Sequence, residues 1–477
     1  MTTQSTSSPS EPTTLRRNAI GLPGVLFQSI TTMAPASAVA FSLGAAIGLT
    51  GGALPLAVLI ALIVCSLIAL SIGSMAKYLP SAGGYLTYVS NGLGVQAGWM
   101  TGWLFNFAYL LVVPFQLLVL GPVADQFVTQ YFHLSLGWAT WAIIFGVIVF
   151  GLTYFGIKLS ADTSVVLGTI EITVFVLLSL WLIVSAGNGN TAAAFNPATT
   201  GSPLGGWQGI FQGMLFAFLA FAGFESSAPL AEETQNPRKV VPRAIVLAVI
   251  SIGVFYVLCS YAGVVGWGFN KLSTYGSDPD PWGTMANKVW GVFAFVAILA
   301  ILNSALANAN AGVNAVTRVL FSMGRIRTLP PILAHVNRFR TPDTAIILTM
   351  VLAFVLSLWP GYVYGPTVAF GLLGTILTIP ILLVYMATCV SVPLFYARQH
   401  REEFNVLRHI VVPAIPLVVL LFTLYFQFVP LPAAPFSYAG PITAAWFIIG
   451  LIIVIVLSVS QPHTLAQSSA VYVDEQG

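Results

Sequence analysis

Charged residues are the scarcest component of this sequence. Asp, Glu, Lys and Arg together make up 6% of its 477 residues, whereas hydrophobic residues make up 57%. None of the four occurs from Asn18 to Ala76 or from Tyr78 to Ala124. Soluble domains carry about 25% charged residues, because their folded surface faces water. The composition therefore excludes a soluble protein and predicts an all-α polytopic membrane protein whose surface mostly faces lipid.

Sequence motifs of nucleotide-driven pumps and of zinc-dependent hydrolases are also missing. The chain has no G-x-x-x-x-G-K-[ST] phosphate loop and no H-E-x-x-H zinc motif. Its five histidines fall in loops or at the ends of apolar runs. The three cysteines lie inside apolar runs, where we interpret them as small packing residues. We therefore expect no enzymatic activity, no cofactor, no metal and no nucleic-acid partner.

Long apolar runs dominate what remains. A helix needs about 20 apolar residues to cross a ~30 Å hydrocarbon core. The runs are continuous rather than alternating, which favours helices over a membrane β-barrel. We predict twelve transmembrane segments, numbered 1 to 12 along the chain: 23–49, 54–76, 95–124, 136–156, 161–186, 207–231, 242–268, 288–320, 343–359, 366–396, 409–429 and 441–460.

The positions of the basic residues predict the orientation. With the N-terminus inside, every Lys and Arg except Lys271 and Lys288 falls on the cytoplasmic side. Such an excess of basic residues is typical of cytoplasmic loops. We therefore predict a multi-pass protein of the cytoplasmic membrane with both termini inside. Residues 1–17 are expected to form a disordered Ser/Thr/Pro-rich tail and residues 461–477 a second cytoplasmic tail.

Segments 1 and 6 contain helix-breaking residues. Pro35 interrupts segment 1, and Gly223 and Pro229 interrupt segment 6. We predict non-helical backbone near residues 34–37 and 222–226. One such break could be an ordinary proline kink, but two breaks five segments apart are typical of inverted-repeat transporters. The repeats would span residues 18–186 (segments 1–5) and 207–396 (segments 6–10), followed by segments 11 and 12 at 409–460.

Three stretches resemble the amino acid–polyamine–organocation permeases. The first is a motif in segment 6 together with the loop that follows it (residues 218–225, 231–238 and 241–243). The second is Pro80–Tyr85, and the third is the region of segment 8 from Asn303 to Pro330. The resemblance covers most of residues 20–460. It implies a five-plus-five, leucine-transporter-type fold and secondary transport of amino acids or amines.

A transporter of this type would bind its substrate at the two breaks. The start of the half-helix in segment 1 offers N–H groups for a carboxylate, and segment 6 offers carbonyls for an ammonium group. The predicted substrate-binding residues are Met33, Ala34, Pro35, Ala36, Ser37, Ala220, Phe221, Ala222, Gly223 and Phe224.

Two carboxylates lie within predicted segments. Glu225 falls in the break of segment 6 and Glu171 about ten residues into segment 5. Acidic residues at such depth are usually functional, so we predict that both couple transport to protons. Alternatively, each is a neutral Glu that satisfies local backbone or polar groups. Some proton-coupled amino acid members of the family carry a lysine near Glu171, so an acid there could instead attract a cationic amine.

Further polar and aromatic residues are candidates for the transport pathway or for helix packing. Relatives often place an aromatic residue over the substrate four residues before the glycine of the segment 6 motif. That position is Leu219 here, so Phe216, Phe218 or Phe221 would take this role. The remaining pathway candidates are Asn106, Tyr109, Asn303 and Ser304.

The function expected from these features is proton-coupled secondary transport of amino acids by alternating access. The main alternative is a polyamine or simple-amine permease or exchanger, since both intramembrane charges are acidic. A channel is a remote alternative, because paired helix breaks favour alternating access.

Overall fold

The computed structural model describes residues 20–81, 83–156, 161–201, 205–278 and 280–466. These residues form helices and the loops that connect them, and they contain no β-strand. The first eight helices are α1 (Leu22–Thr32), α2 (Pro35–Ser37), α3 (Leu43–Thr50), α4 (Leu54–Tyr78), α5 (Tyr85–Leu93), α6 (Val95–Leu110), α7 (Val112–Phe132) and α8 (Trp138–Tyr154). The next ten are α9 (Ala161–Ala186), α10 (Gly206–Phe221), α11 (Pro237–Trp267), α12 (Pro281–Trp290), α13 (Phe295–Arg325), α14 (Asp343–Tyr364), α15 (Pro366–Gln399), α16 (Val412–Phe428), α17 (Ala439–Ser460) and α18 (Pro462–Ala466).

Many of these helices, singly or joined end to end, are long and apolar enough to cross a membrane. By length and composition, nine helical stretches qualify within the described residues, and the first, Leu22–Tyr78, is 57 residues long. Two shorter apolar helices, α8 and α10, lie within predicted segments 4 and 6. The prediction of an all-helical, multi-pass membrane protein is confirmed. The predicted tail of residues 1–17 lies outside the described residues, whereas α18 lies within the predicted tail of residues 461–477.

Helices divide into an inner set and an outer set according to exposure. The side chains of Val147 in α8, Val355 in α14, Val418 in α16 and Ile452 in α17 are all more than half exposed. Inside them, α4 packs along α11, α7 packs against α13, and α10 packs against α3 and α4. Apolar residues on an exposed face are favourable only in lipid, so the outer helices form the surface that faces the bilayer.

The first break is narrower than predicted. Only Met33 and Ala34 separate α1 from the next helix, and Ala34 adopts a left-handed conformation with φ 48°. Helix resumes at Pro35 and continues through a π-helical stretch (Ala38–Ser42) to the end of α3. The expectation of non-helical backbone over residues 35–37 is thus wrong. Proline is well suited to the first position of a helix, because its missing N–H is not needed there.

The second break follows α10. Residues 222–227 form consecutive turns, and Ala228–Glu233 form a 3₁₀ helix rather than a resumed α-helix. Gly223 has φ 118°, which side-chain-bearing residues rarely adopt. The predicted non-helical backbone at residues 222–226 is therefore present. A loop with one isolated bridge, between Ile20 and Thr234, then leads to α11.

Candidate functional site

The two helix breaks lie directly against each other. A Cβ placed on Gly223 would lie 2.7 Å from the carbonyl carbon and oxygen of Thr32, so only glycine fits this contact. The hydroxyl of Ser226 donates to that of Thr32 at 2.8 Å, and Ser29 donates to Ser227 at 2.9 Å. The two hydrogen bonds connect pairs of residues that are 194 and 198 positions apart in the sequence.

Backbone carbonyl groups at the two breaks form hydrogen bonds with side chains of other helices. The Tyr256 hydroxyl on α11 lies 2.7 Å from the carbonyl oxygen of Met33 and 2.9 Å from that of Ala220. The Asn308 amide on α13 donates to the carbonyl oxygen of Thr32. Because an unpaired buried carbonyl is costly, these contacts stabilise the interrupted geometry of both helices.

Glu225 occupies the second break and is fully buried. Its Oε1 accepts a hydrogen bond from the Tyr109 hydroxyl at 2.8 Å. Its Oε2 accepts from the Tyr385 hydroxyl at 2.9 Å and from the Gly223 N–H at 3.2 Å. Both carboxyl oxygens are therefore occupied by donors from three different parts of the chain, α6, α15 and the break itself.

A narrow cavity opens beside the breaks. Five of the predicted site residues line it: Met33, Ala34, Ser37, Tyr109 and Ala222. The other lining residues are Thr32, Ala38, Ser42, Val112, Phe115, Gln116, Leu219, Asn308, Leu377 and Ile381. The cavity thus combines backbone from both breaks with side chains of α6, α7, α13 and α15.

The remaining residues predicted around the breaks pack behind this cavity. Pro35, Ala36, Gly223 and the rings of Phe221 and Phe224 are buried, and Phe224 contacts Tyr385 with ring centroids 5.4 Å apart. The aromatic candidates Phe216, Phe218 and Phe221 do not line the cavity in the described structure. Leu219 itself lines it instead, because it lies on the face of α10 that is turned toward α15.

Glu171 forms a separate polar cluster. Its Oε2 accepts from the Asn303 amide at 2.7 Å and its Oε1 from the Ser304 hydroxyl at 3.2 Å, across α9 and α13. These three residues do not line the cavity. Asn106 also lies away from it, and its amide contacts the Met323 sulfur at 3.1 Å.

The residues that sequence reasoning missed include four whose side chains form hydrogen bonds at the site: Gln116, Asn308, Tyr256 and Tyr385. Gln116 donates to the Oδ1 of Asn308 at 2.9 Å, although 192 positions separate them. A polar signal was present for Gln116, which is a lone amide in a long apolar run, whereas Asn308 is one of several asparagines in its helix. Neither tyrosine had such a signal, because buried tyrosines in a membrane core also serve as packing residues.

The described residues contain no group of three His, Cys, Asp or Glu that could hold a metal ion. Cys65, Cys259 and Cys389 are free and buried. The arrangement instead presents backbone N–H and carbonyl groups, two amides and a buried carboxyl group beside one cavity. Of these groups, the backbone N–H groups that follow Pro35 and the carbonyl group of Ala222 can form hydrogen bonds with a small polar molecule.

Together, the fold and the cavity define a multi-pass membrane protein with a cavity between two interrupted helices. The family described as amino acid permease matches residues 24–464 of the chain. The chain therefore belongs to the amino acid permease family, which confirms the resemblance to the amino acid–polyamine–organocation permeases.

The names of individual relatives refer to different substrates. The branched-chain amino acid permease BcaP of Lactococcus lactis is 25% identical, over 91% of each chain. The low-affinity putrescine importer PlaP of Escherichia coli is 26% identical, over 65% of this chain and 68% of PlaP. The amino-acid permease GAP5 of Candida albicans is 26% identical over 66% of this chain, which spans only 53% of the length of GAP5.

A solved structure shares the fold. The Eremococcus coleocola manganese transporter, crystallised with an aromatic bis-isothiourea substituted compound, gives a TM-score of 0.56 at 12% identity. The match covers 92% of this chain and 95% of that chain. At this identity the likeness shows the fold alone.

Proposed function

We propose that this protein is a secondary active transporter that carries amino acids across the cytoplasmic membrane by alternating access. One observation carries the proposal: two helix interruptions, in distant parts of the sequence, contact each other and border one cavity. In lipid, interrupted backbone is tolerated only where it is buried in protein or lines a cavity. The relatives named as amino acid permeases support the same substrate class.

The breaks provide a partner for each end of an amino acid. Ala36 and Ser37 follow Pro35 at the start of a helix, where N–H groups have no intrahelical acceptor. These groups, at the positive end of the helix, suit a carboxylate. At the second break, Ala222 directly follows α10, and its carbonyl group suits an ammonium group. Met33, Ala34 and the buried neighbours Pro35, Ala220, Phe221, Gly223 and Phe224 hold this backbone in place.

The proposed architecture has twelve crossings and two inverted repeats, residues 18–186 and 207–396, followed by crossings at 409–460. Both termini are proposed to be cytoplasmic. Single cysteines introduced at Ser5 and Ser469 would test the orientation, since a membrane-impermeant thiol reagent should label them only from the inside. Labelling from the outside at either position would contradict it.

Glu225 and Glu171 are the proposed coupling residues. Glu225 is the carboxyl group nearest to the cavity, because Tyr109 both lines the cavity and donates to it. A change in its protonation would change the hydrogen bonds that link the break to α6 and α15. Glu171, with Asn303 and Ser304, would respond to protons at the interface of α9 and α13.

An amine permease is the second candidate, since PlaP is named as a putrescine importer and both intramembrane charges of this chain are acidic. Counterflow in proteoliposomes separates the two. Vesicles loaded with an unlabelled amino acid mixture should accumulate labelled amino acids, whereas vesicles loaded with putrescine should not accumulate labelled putrescine. Protein-free vesicles are the control. Accumulation of putrescine alone would favour the amine permease.

A further inference from the structure

The cavity beside the breaks has a polar wall that satisfies its own hydrogen bonds. The Ser37 hydroxyl donates to the Oε1 of Gln116 at 3.3 Å, and the Gln116 amide donates to the Oδ1 of Asn308 at 2.9 Å. Asn308 in turn donates to the carbonyl oxygen of Thr32. All four side chains are at most 5% exposed. This wall is uncharged, and its groups are committed to one another and to the first break.

Another part of the cavity lining is apolar and tightly packed. Its members are aliphatic side chains and one phenyl ring: Val112, Phe115, Leu219, Leu377 and Ile381. The Phe115 ring stacks on Phe370 with centroids 4.1 Å apart, and both Phe115 and Leu219 press against Gly374 of α15. A closely packed apolar wall of this kind favours the burial of apolar side chains.

Formal charge is kept out of the cavity. Among the described residues that line it, none is Asp, Glu, Lys or Arg. Glu225 is separated from the cavity by the Tyr109 side chain, and both of its oxygens already have donors. The oxygens of Glu171 accept from Asn303 and Ser304, which lie outside the lining. A second ammonium or a guanidinium group would therefore be buried unpaired, which costs several kcal/mol.

We infer that the substrate is an amino acid with an uncharged, apolar side chain, which packs against the wall of Val112, Phe115, Leu219, Leu377 and Ile381. This inference rests on the proposed function, since it assumes that the α-carboxylate and α-ammonium groups bind at the two breaks. The inference narrows the class of substrates. Cationic amino acids, acidic amino acids and diamines are excluded, because no charged residue of opposite sign lines the cavity.

The first test compares substrates in counterflow with proteoliposomes of the full chain. Labelled L-leucine, L-phenylalanine, L-serine, L-lysine, L-glutamate and putrescine are each offered to vesicles loaded with the same unlabelled compound. Leucine or phenylalanine should accumulate most, and a 100-fold excess of lysine or putrescine should not compete. Highest accumulation of lysine, glutamate, serine or putrescine would overturn the inference. Accumulation of none of the six would overturn the proposed function as well.

The second test alters the apolar wall. Leu219→Ala enlarges it, so the ratio of leucine to phenylalanine transport (kcat/KM) should fall by about tenfold or more. The control is Leu215→Ala, one helical turn earlier on α10, which is also buried but does not line the cavity. It should lower the yield of folded protein and leave the ratio unchanged. Equal ratios in both variants would contradict the role of Leu219.

A third variant adds the missing charge. Gln116→Glu changes one atom of the side chain and introduces a carboxylate into the polar wall. It should raise the affinity for L-lysine relative to L-leucine by about tenfold or more, as expected for a charge-assisted hydrogen bond. Gln212→Glu, on α10 outside the cavity, serves as the control and should leave that ratio unchanged. A Gln116→Glu variant that still rejects lysine would show that charge does not set the selectivity.

Discussion

The backbone of Gly223 lies against the carbonyl group of Thr32, close enough that a Cβ on Gly223 would lie 2.7 Å from that carbon and oxygen. This contact joins the two helix breaks without any intervening side chain. It brings Glu225, two residues further on, to within hydrogen-bonding distance of Tyr109 and Tyr385. The close approach of the two breaks therefore requires a glycine at position 223.

Gly223→Ala should destabilise the protein and abolish transport. The added methyl group overlaps backbone, which cannot move aside as a flexible side chain could, and φ 118° is strained for alanine. We expect a loss of about 2 kcal/mol or more in unfolding free energy. Gly48→Ala is the control, because no atom lies within 4 Å of a Cβ there. The melting temperature of the purified protein in detergent checks this, and equal values for both variants would contradict it.

Glu225→Gln should remove most of the pH dependence of substrate binding and sharply lower uptake driven by a pH gradient. Glutamine keeps the size of the side chain but cannot change its charge. Binding and uptake measured from pH 5 to 8 in proteoliposomes test this, with the exposed Glu402→Gln as control. A variant with the pH profile of the unmodified protein would assign Glu225 a structural role.

Glu171→Gln should leave the affinity for a neutral amino acid unchanged and reduce only its uphill accumulation. Its hydrogen bonds connect α9 to α13, away from the cavity. If the substrate were a diamine bound by Glu171, its affinity should instead fall about tenfold or more, as expected for a lost charge-assisted hydrogen bond. Equilibrium binding and gradient-driven accumulation, measured in the same preparation, separate these two results.

Tyr256→Phe should destabilise both breaks at once. Its hydroxyl lies between the carbonyl oxygens of Met33 and Ala220, and the variant leaves these buried carbonyls without that donor. The expected cost is about 1–3 kcal/mol in unfolding free energy, with weaker substrate binding. Tyr261→Phe on the same helix is the matched control, since its hydroxyl contacts only the loop at Asn190 and Thr191. A larger loss in Tyr261→Phe would refute this assignment.

The loop before α16 offers a test of pH-dependent stability. Hydrogen bonds from the Tyr78 hydroxyl and then the Lys77 ammonium group lower the pKa of Glu403 from its ordinary value. A carboxyl group with a lowered folded-state pKa stabilises the fold above its unfolded pKa, and this contribution is lost as the pH falls through the folded-state value. Glu403→Gln should therefore lower the melting temperature at pH 7.

The difference between Glu403→Gln and the unmodified protein should begin to shrink as the pH falls below the ordinary pKa of a glutamate, about 4.3. It should vanish once the pH lies below the lowered folded-state pKa of Glu403. The difference should also shrink in high salt, because the side chains of Lys77 and Glu403 are both exposed to solvent. Glu402→Gln, one residue earlier, should show no such trend. A difference that stays constant from pH 7 to pH 3 would argue against the hydrogen-bonded carboxylate.

Several features of this protein follow from the sequence alone. The long uncharged runs require a membrane environment, and Pro35 and Gly223 mark the two breaks because their effects on the backbone are local. The position of Glu225 in the second break also followed from the sequence, because it stands between Gly223 and Pro229, whereas its coupling role stays a prediction. The first break could be placed only approximately, because proline starts a helix as readily as it ends one.

Only the tertiary structure decides which side chains meet at the breaks. Gln116 and Asn308 are ordinary amides in their own helices until α7 packs against α13 and joins them. Tyr385 reaches Glu225 from α15, 160 residues away, and Leu219 rather than a neighbouring phenylalanine is turned toward the cavity. Composition and periodicity describe one helix at a time, whereas a cavity is formed by the faces that several helices turn toward one another.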